Sequence, residues 1–173
     1  ELLVWSLLLD SSPMLSATRH DRGAGILDEL AAAGVAPVSR YDGGIEWEPS
    51  VGFDGVQAVW DAGLRPTGLI CLNDRIAFGA YQGLAERGLR VAADVSVVSF
   101  DDEVLAGYLR PGLTTAAIPY EEMGRLALEL ALARQPALTD EPAASEPEGA
   151  GEPAVRHVRV PMTLRVRESV RPV

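Results

Sequence analysis

Asn73-Asp74 and Asp101-Asp102 are the residues of this chain best equipped for chemistry. Each pair ends a short apolar run: Gly68-Leu-Ile-Cys-Leu72 before the first, Val95-Ser-Val-Val-Ser-Phe100 before the second. A carboxylate accepts from two vicinal hydroxyls at once, and an amide both donates and accepts, so the set suits a polyol. In an open parallel sheet the side chains just past the carboxyl ends of the strands face a common groove, which makes 66–115 a candidate ligand crevice. Each residue also has a plain structural use. Asn73 can cap the helix that follows it, and Asp101 can close a turn.

Catalysis is not expected from this pattern. Adjacent residues such as Asp101 and Asp102 point different ways, and His20 and His157 lie outside the crevice motifs. The sequence has no Gly-rich phosphate loop, no Gly-x-Ser-x-Gly elbow and no metal-ligand cluster, so no cofactor, metal or catalytic residue is expected. Cys71 sits inside an apolar run and reads as a small buried thiol; one cysteine can neither staple a fold nor build a metal site.

The elements that must position the crevice alternate. Leu2 to Leu9 reads as a buried strand, too short to span a bilayer and without the positive flank of a secretory signal. Ser16 can cap a helix with Ala24, Leu27, Leu30 and Ala31 on one face and Gly34 at its end, followed by a strand over Val35 to Tyr41. Ser50 offers the cap of a helix that turns Phe53, Val56, Val59 and Trp60 inward and stops at Gly63. The next helix, Arg75–Arg87, repeats Ile76, Ala80 and Leu84 and ends at Gly88, with Asn73 or Asp74 as its cap. A crossover of that length returns the strand Val95–Phe100 in parallel. The expected fold is therefore α/β, a doubly wound parallel sheet flanked by helices.

A further helix, Glu121 to Ala133, places Met123, Leu126, Ala127 and Leu130 on one face. Residues 135–153 are rich in Pro, Ala, Ser, Gly and Glu with no basic residue, the composition of a solvated loop. The last segment alternates Val158, Val160, Met162, Leu164 and Val166 with polar residues and reads as a half-buried strand at a sheet edge or broken at Pro161.

At 173 residues, 47% hydrophobic and 23% charged, the chain can bury roughly 70% of its unfolded surface. Its net charge of −10 would repel a phosphate backbone, so this chain alone is not expected to bind DNA. The single cysteine is compatible with a reducing cytoplasm, where the protein is expected to reside, and no membrane association is expected. The sequence opens on Glu1 rather than Met, so a processed or truncated product is also an expectation.

In order and at matching spacing, Pro66-Thr67, Asn73-Asp74, Ala77-Phe-Gly-Ala80, Glu86-Arg-Gly-Leu-Arg-Val91, Asp94-Val-Ser-Val-Val98, Phe100-Asp-Asp102, Leu113-Thr-Thr115 and Pro119-Tyr-Glu-Glu-Met-Gly124 resemble the successive motifs of the lactose-repressor-type LacI/GalR family of transcriptional regulators. The resemblance runs from about Ser16 to Arg134 and resumes in the final strand. It implies a periplasmic-binding-protein-like fold, mainly the C-terminal effector-binding and dimerisation subdomain over 1–134 with crossover helix 121–133, then the acidic loop 135–153 and a returning strand within 154–173. Nothing in the chain resembles the family's helix-turn-helix headpiece, hinge or first effector subdomain. DNA contact would then come only through a headpiece absent from this chain.

By the same resemblance, Asn73 and Asp101 correspond to effector contacts. Arg22, three residues before Gly25, matches an arginine that reaches into the effector site. Trp47, five residues before Gly52, matches an aromatic that stacks on the effector, and Tyr120 follows the family pattern at the crossover. Packing remains the alternative for Trp47, and a solvated helix position for Arg22. Ile118 stands where the family often has Gln, and Ser99 where Gly is usual. The family's dimer surface maps onto Ala77, Phe78 and Tyr81 and onto the segment Val104, Leu105 and Tyr108. Phe78 and Tyr81 lie off the Ile76-Ala80-Leu84 stripe, so both aromatics are expected toward solvent and a partner chain. The function implied is an effector-sensing, homodimerising module that takes a sugar or nucleoside-like molecule. The alternative is a periplasmic-type sugar-binding protein, which shares the architecture but would be exported and monomeric.

Overall fold

Among the described residues, six short strands form one sheet, and the helices that connect them flank it. The computed structural model describes residues 2–5, 17–41, 47–133 and 157–171. Strands β1 (Leu2–Trp5), β2 (Pro37–Tyr41), β3 (Gly68–Ile70), β4 (Ser96–Asp101), β5 (Thr114–Ala117) and β6 (Thr163–Arg165) lie in the order β2-β1-β3-β4-β5-β6. All neighbours pair in parallel except β6, which runs antiparallel along β5. Helices α1 (Ala17–Ala32), α2 (Pro49–Asp61) and α3 (Asp74–Glu86) are the crossovers that parallel pairing requires. A short helix α4 (Val104–Tyr108), which the sequence pattern did not signal, links β4 to β5, and α5 (Tyr120–Ala133) follows β5.

The chain forms two compact units: Glu1–Ile118 with Thr163–Val173, and Pro119–Met162. The core belongs to the first. Leu69 and Val97 from the sheet join Val56, Val59, Ile76, Ala80 and Leu84 from α2 and α3, all buried. These two helices touch almost backbone to backbone. A Cβ built on Gly79 would come 1.7 Å from the Pro49 carbonyl oxygen, and one on Gly52 would come 1.9 Å from that of Ile76.

Helix ends follow local chemistry. Gly34, Gly63 and Gly88 close α1, α2 and α3 with φ of 67°, 80° and 70°, and the residue after each donates back into the last turn. Two expectations need correction here. Ser50 does not cap α2: Glu48 occupies the cap position and Pro49 the first turn, where its fixed φ and missing N–H suit a helix start. The final segment is not a half-buried strand either. It does lie at the sheet edge, as expected, with only Thr163–Arg165 paired, beyond Pro161, but Met162, Leu164 and Val166 are exposed rather than half-buried.

On α1 the inward face is Gly23 with half-buried Ala24, Ile26, Leu27 and Leu30, while Ala31 is exposed. No residue of α5 is buried; Leu126 and Leu130 are half-buried and Met123 is exposed. The proposed cap Ser16, the rest of the first apolar run beyond Trp5, and the acidic loop 135–153 lie outside the described residues.

Candidate functional site

The register places both motifs at one rim of the sheet. Ile70 pairs with Val98, so Asn73 and Asp101 leave adjacent strands at their carboxyl ends. Alternation assigns odd residues Leu69, Val97 and Ser99 to the side of α3 and even residues Ile70, Val98 and Phe100 to the side of α1. Asp101 should therefore face α3. It does not: its φ is 112°, in a region that non-glycine residues seldom occupy, and the carboxylate meets Arg22 from α1.

Arg22 ties the rim together. Its Nη2 donates to Asp101 Oδ1 at 2.7 Å and its Nη1 to the Leu72 carbonyl oxygen at 2.6 Å. The guanidinium carbon also stands 5.1 Å from the centroid of the Phe100 ring and 5.8 Å from that of Trp47, within cation–π range of both. The pair is largely shielded from water, so an incoming hydroxyl meets a desolvated donor fork beside a desolvated acceptor. Phe100 was read from sequence only as a motif residue. Its place under Arg22 follows from strand alternation, which does put it on the α1 side.

Asn73 has both ends of its amide engaged within the protein. Oδ1 accepts from the Ile76 N–H at 2.7 Å, the helix cap, and Nδ2 donates to the Trp47 carbonyl oxygen at 3.1 Å, leaving Asn73 4% exposed. Trp47 is half-buried at the entry to α2. Arg22, Asp101 and Trp47 are thus gathered, with Asn73 tied to Trp47 through its main chain. Tyr120 opens α5 in the second unit and is 64% exposed.

Beneath the rim is a polar network that sequence reading missed. Asp74, fully buried, accepts from the Ser99 hydroxyl, from the Thr115 hydroxyl at 2.8 Å and from the Glu103 N–H at 2.6 Å. Burial pushes its carboxyl above the usual carboxylate range; the three hydrogen bonds pull it back, and the Asp101 charge pushes it up again. Ser99 and Thr115 are partners in the β4–β5 register. The available signal was Ser99, a small hydroxyl in the middle of an apolar strand. Cys71 is buried without exposure, and burial followed by the Asp74 charge pushes its thiol upward, which keeps it protonated and unreactive.

A hollow of about 890 Å³ runs along the α1 side of the sheet. It is lined by Arg22, Ile26, Val98, Phe100, Leu164 and Val166 among others, and by neither Asn73 nor Asp101. It is an apolar groove beside the rim rather than the rim itself. Among the described residues no group of His, Cys, Asp and Glu could hold a metal ion, and no helix is long and apolar enough to cross a membrane.

The aromatics expected toward solvent on α3 are not there. Tyr81 is 6% exposed, packs in the core and donates its hydroxyl to the Pro111 carbonyl oxygen at 3.1 Å. Ala77 is fully buried, and Phe78 is partly buried against the core. The reason is that α3 is enclosed by α2, the sheet and the α4–β5 connection, so its buried face is wider than one stripe. On α4, by contrast, Val104 and Tyr108 are 71% and 73% exposed and Leu105 is half-buried.

A family model described as a periplasmic binding protein-like domain matches residues 7–170. The chain belongs to that family. Among periplasmic binding protein-like domains it falls with the LacI-type regulators. The ribose operon repressor of Haemophilus influenzae is 43% identical over 83 residues, which are 48% of this chain and 25% of that protein. A LacI family transcriptional regulator from Enterococcus faecium, solved with bound ribose, is 25% identical with a TM-score of 0.72 and covers 99% of this chain and 56% of its own. The lac repressor dimer bound to operator and the anti-inducer ONPF matches in fold, with a TM-score of 0.78 at 24% identity over 99% of this chain and 53% of that one. The chain spans between 25% and 38% of the length of curated relatives it matches. The first two of these relatives are named as an operon repressor and a transcriptional regulator.

Proposed function

We propose that this chain is the effector-sensing and dimerising part of a LacI-type transcriptional regulator, and that its effector is a sugar or nucleoside-like polyol. The observation that carries the reading is the Arg22–Asp101 pair, shielded at the carboxyl rim of β3 and β4 with Trp47 and Phe100 around the guanidinium. A vicinal diol can donate to Asp101 and accept from Arg22, while Trp47 offers a flat face to a sugar ring or a base. Asn73 contributes to the ligand once its bond to the Trp47 main chain yields.

A relative named for the ribose operon and a LacI family regulator solved with bound ribose support this ligand class. DNA contact belongs to a headpiece outside these 173 residues, since the chain's own charge of −10 opposes a phosphate backbone. The setting is cytoplasmic, where such a regulator meets its operator. Dimerisation runs through α4, with Val104, Leu105 and Tyr108.

Calorimetry of the chain with a panel of pentoses, hexoses and nucleosides tests the site. The expected result is weak binding of one class, because a cleft ligand needs both walls, and loss of that binding in Asp101→Asn and Arg22→Ala. Saturable binding that survives both substitutions overturns the reading.

A further inference from the structure

We infer that Asp74 is the positioning residue of this rim: a buried carboxylate that touches no ligand yet turns Asp101 across the sheet to Arg22 and ties it to the Asn73 side. Three consecutive residues make that turn. Asp101 and Asp102 both have positive φ, 112° and 59°, and neither is glycine. Such conformations are disfavoured for residues with a Cβ and persist only where the surroundings over-determine them.

Asp74 and its hydroxyl partners supply that determination. The Glu103 N–H donates to Asp74 Oδ2 at 2.6 Å, and the Asp102 N–H donates to Thr115 Oγ1 at 3.3 Å while the Thr115 hydroxyl donates to Asp74 Oδ1. The main chain leaving Asp101 is therefore pinned, directly at residue 103 and through Thr115 at residue 102, to one side chain. On the strand before the turn, the Ser99 hydroxyl reaches the same Oδ1. Asp74 thus holds the chain on both sides of Asp101. It also follows Asn73 directly at the start of α3, whose cap fixes it. One carboxylate consequently locks the spacing between the two motifs of the rim. Arg167 holds the Asp102 side chain at 2.6 Å, but from β6's side and without touching the main chain of the turn.

The inference rests on the rim being the effector site only for its functional meaning, and the test separates the two. Arginine guanidinium resonances of the whole chain are recorded by NMR, with the Arg22 signals assigned through Arg22→Lys. In the wild type, Arg22 gives resolved, slowly exchanging Nη–H signals because Asp101 and the Leu72 carbonyl oxygen hold it. Asp74→Asn, which keeps an acceptor for the Glu103 N–H, retains them. Asp74→Ala loses them, collapsed into the averaged signal of free guanidinium groups, while near-ultraviolet circular dichroism shows a packed core. Resolved Arg22 signals in a folded Asp74→Ala chain overturn the inference, because Arg22, the Ile118 N–H on the Asp101 carbonyl oxygen, and Arg165 and Arg167 on Asp102 would then suffice to hold the turn. If Asp74→Ala does not fold, Thr115→Val carries the test, with broadened Arg22 signals expected and unchanged ones contrary. D-ribose and adenosine are titrated alongside. Signals that depend on Asp74 but ignore both ligands at saturating concentration leave the positioning role standing and count against the polyol reading.

Discussion

Asp74 sets a pH dependence that can be measured at the level of a single atom pair. Its carboxyl is raised in the folded protein, chiefly by burial, so the protonated form is favoured by folding. The stability this linkage contributes is fully present below the ordinary carboxylate range and is lost as pH rises through the raised folded value. Asp74→Asn removes the titration but keeps the shape. Its melting temperature relative to wild type should therefore climb between pH 4 and pH 7, as followed by circular dichroism. A difference that is flat or falls over that interval would contradict the assignment. Asn73 and Asp101 could be picked out from sequence because a polar pair ending an apolar run is conspicuous. The Asn73 cap was legible too, being local, but what the Asp101 side chain does was not. Asn73 caps α3 through Ile76 three residues on, whereas Asp101 crosses to Arg22, 79 residues away along the chain.

At the scale of elements, the α2–α3 contact is the most sensitive joint. A methyl group at Gly79 would overlap the Pro49 carbonyl oxygen, and backbone has no rotamer with which to yield. Gly79→Ala should lower stability by about 3 kcal/mol or more, in the range of overpacked cores, and leave little folded chain. Gly25 in α1 is the matched control, since a Cβ there meets nothing within 4 Å. Gly25→Ala should raise stability by about 1 kcal/mol through helix propensity. Urea unfolding of both variants checks the contrast, and equal effects would refute the close approach. The periodic stripe Ile76, Ala80 and Leu84 announced α3 and its buried face. Periodicity says nothing of a second neighbour, which is why Tyr81 was expected outside and lies inside. Alternation with Pro161 likewise announced β6 and its place at the sheet edge, yet the residues it marked as inward are exposed, because a pattern does not say whether another layer covers that face.

For the molecule as a whole, the exposed aliphatic and aromatic side chains of α4 are the surface to test. Val104→Glu with Tyr108→Glu should convert a dimer to a monomer by light scattering, with little change in melting temperature since both side chains are already exposed in the single chain. A wild type that is monomeric at all concentrations would remove α4 as the interface. The sequence by itself determined the alternation of strands and helices, the glycines that end α1, α2 and α3, and the rim at which the two polar pairs emerge. These depend on interactions within a few residues, where propensity, capping and period suffice. Only the tertiary structure decided that Asp101 reverses its strand's alternation, that Ser99 and Thr115 meet on Asp74, and that Arg22 stands over Phe100. Each needs groups far apart in the chain to arrive within hydrogen-bonding or stacking distance, and that depends on packing rather than on any local pattern.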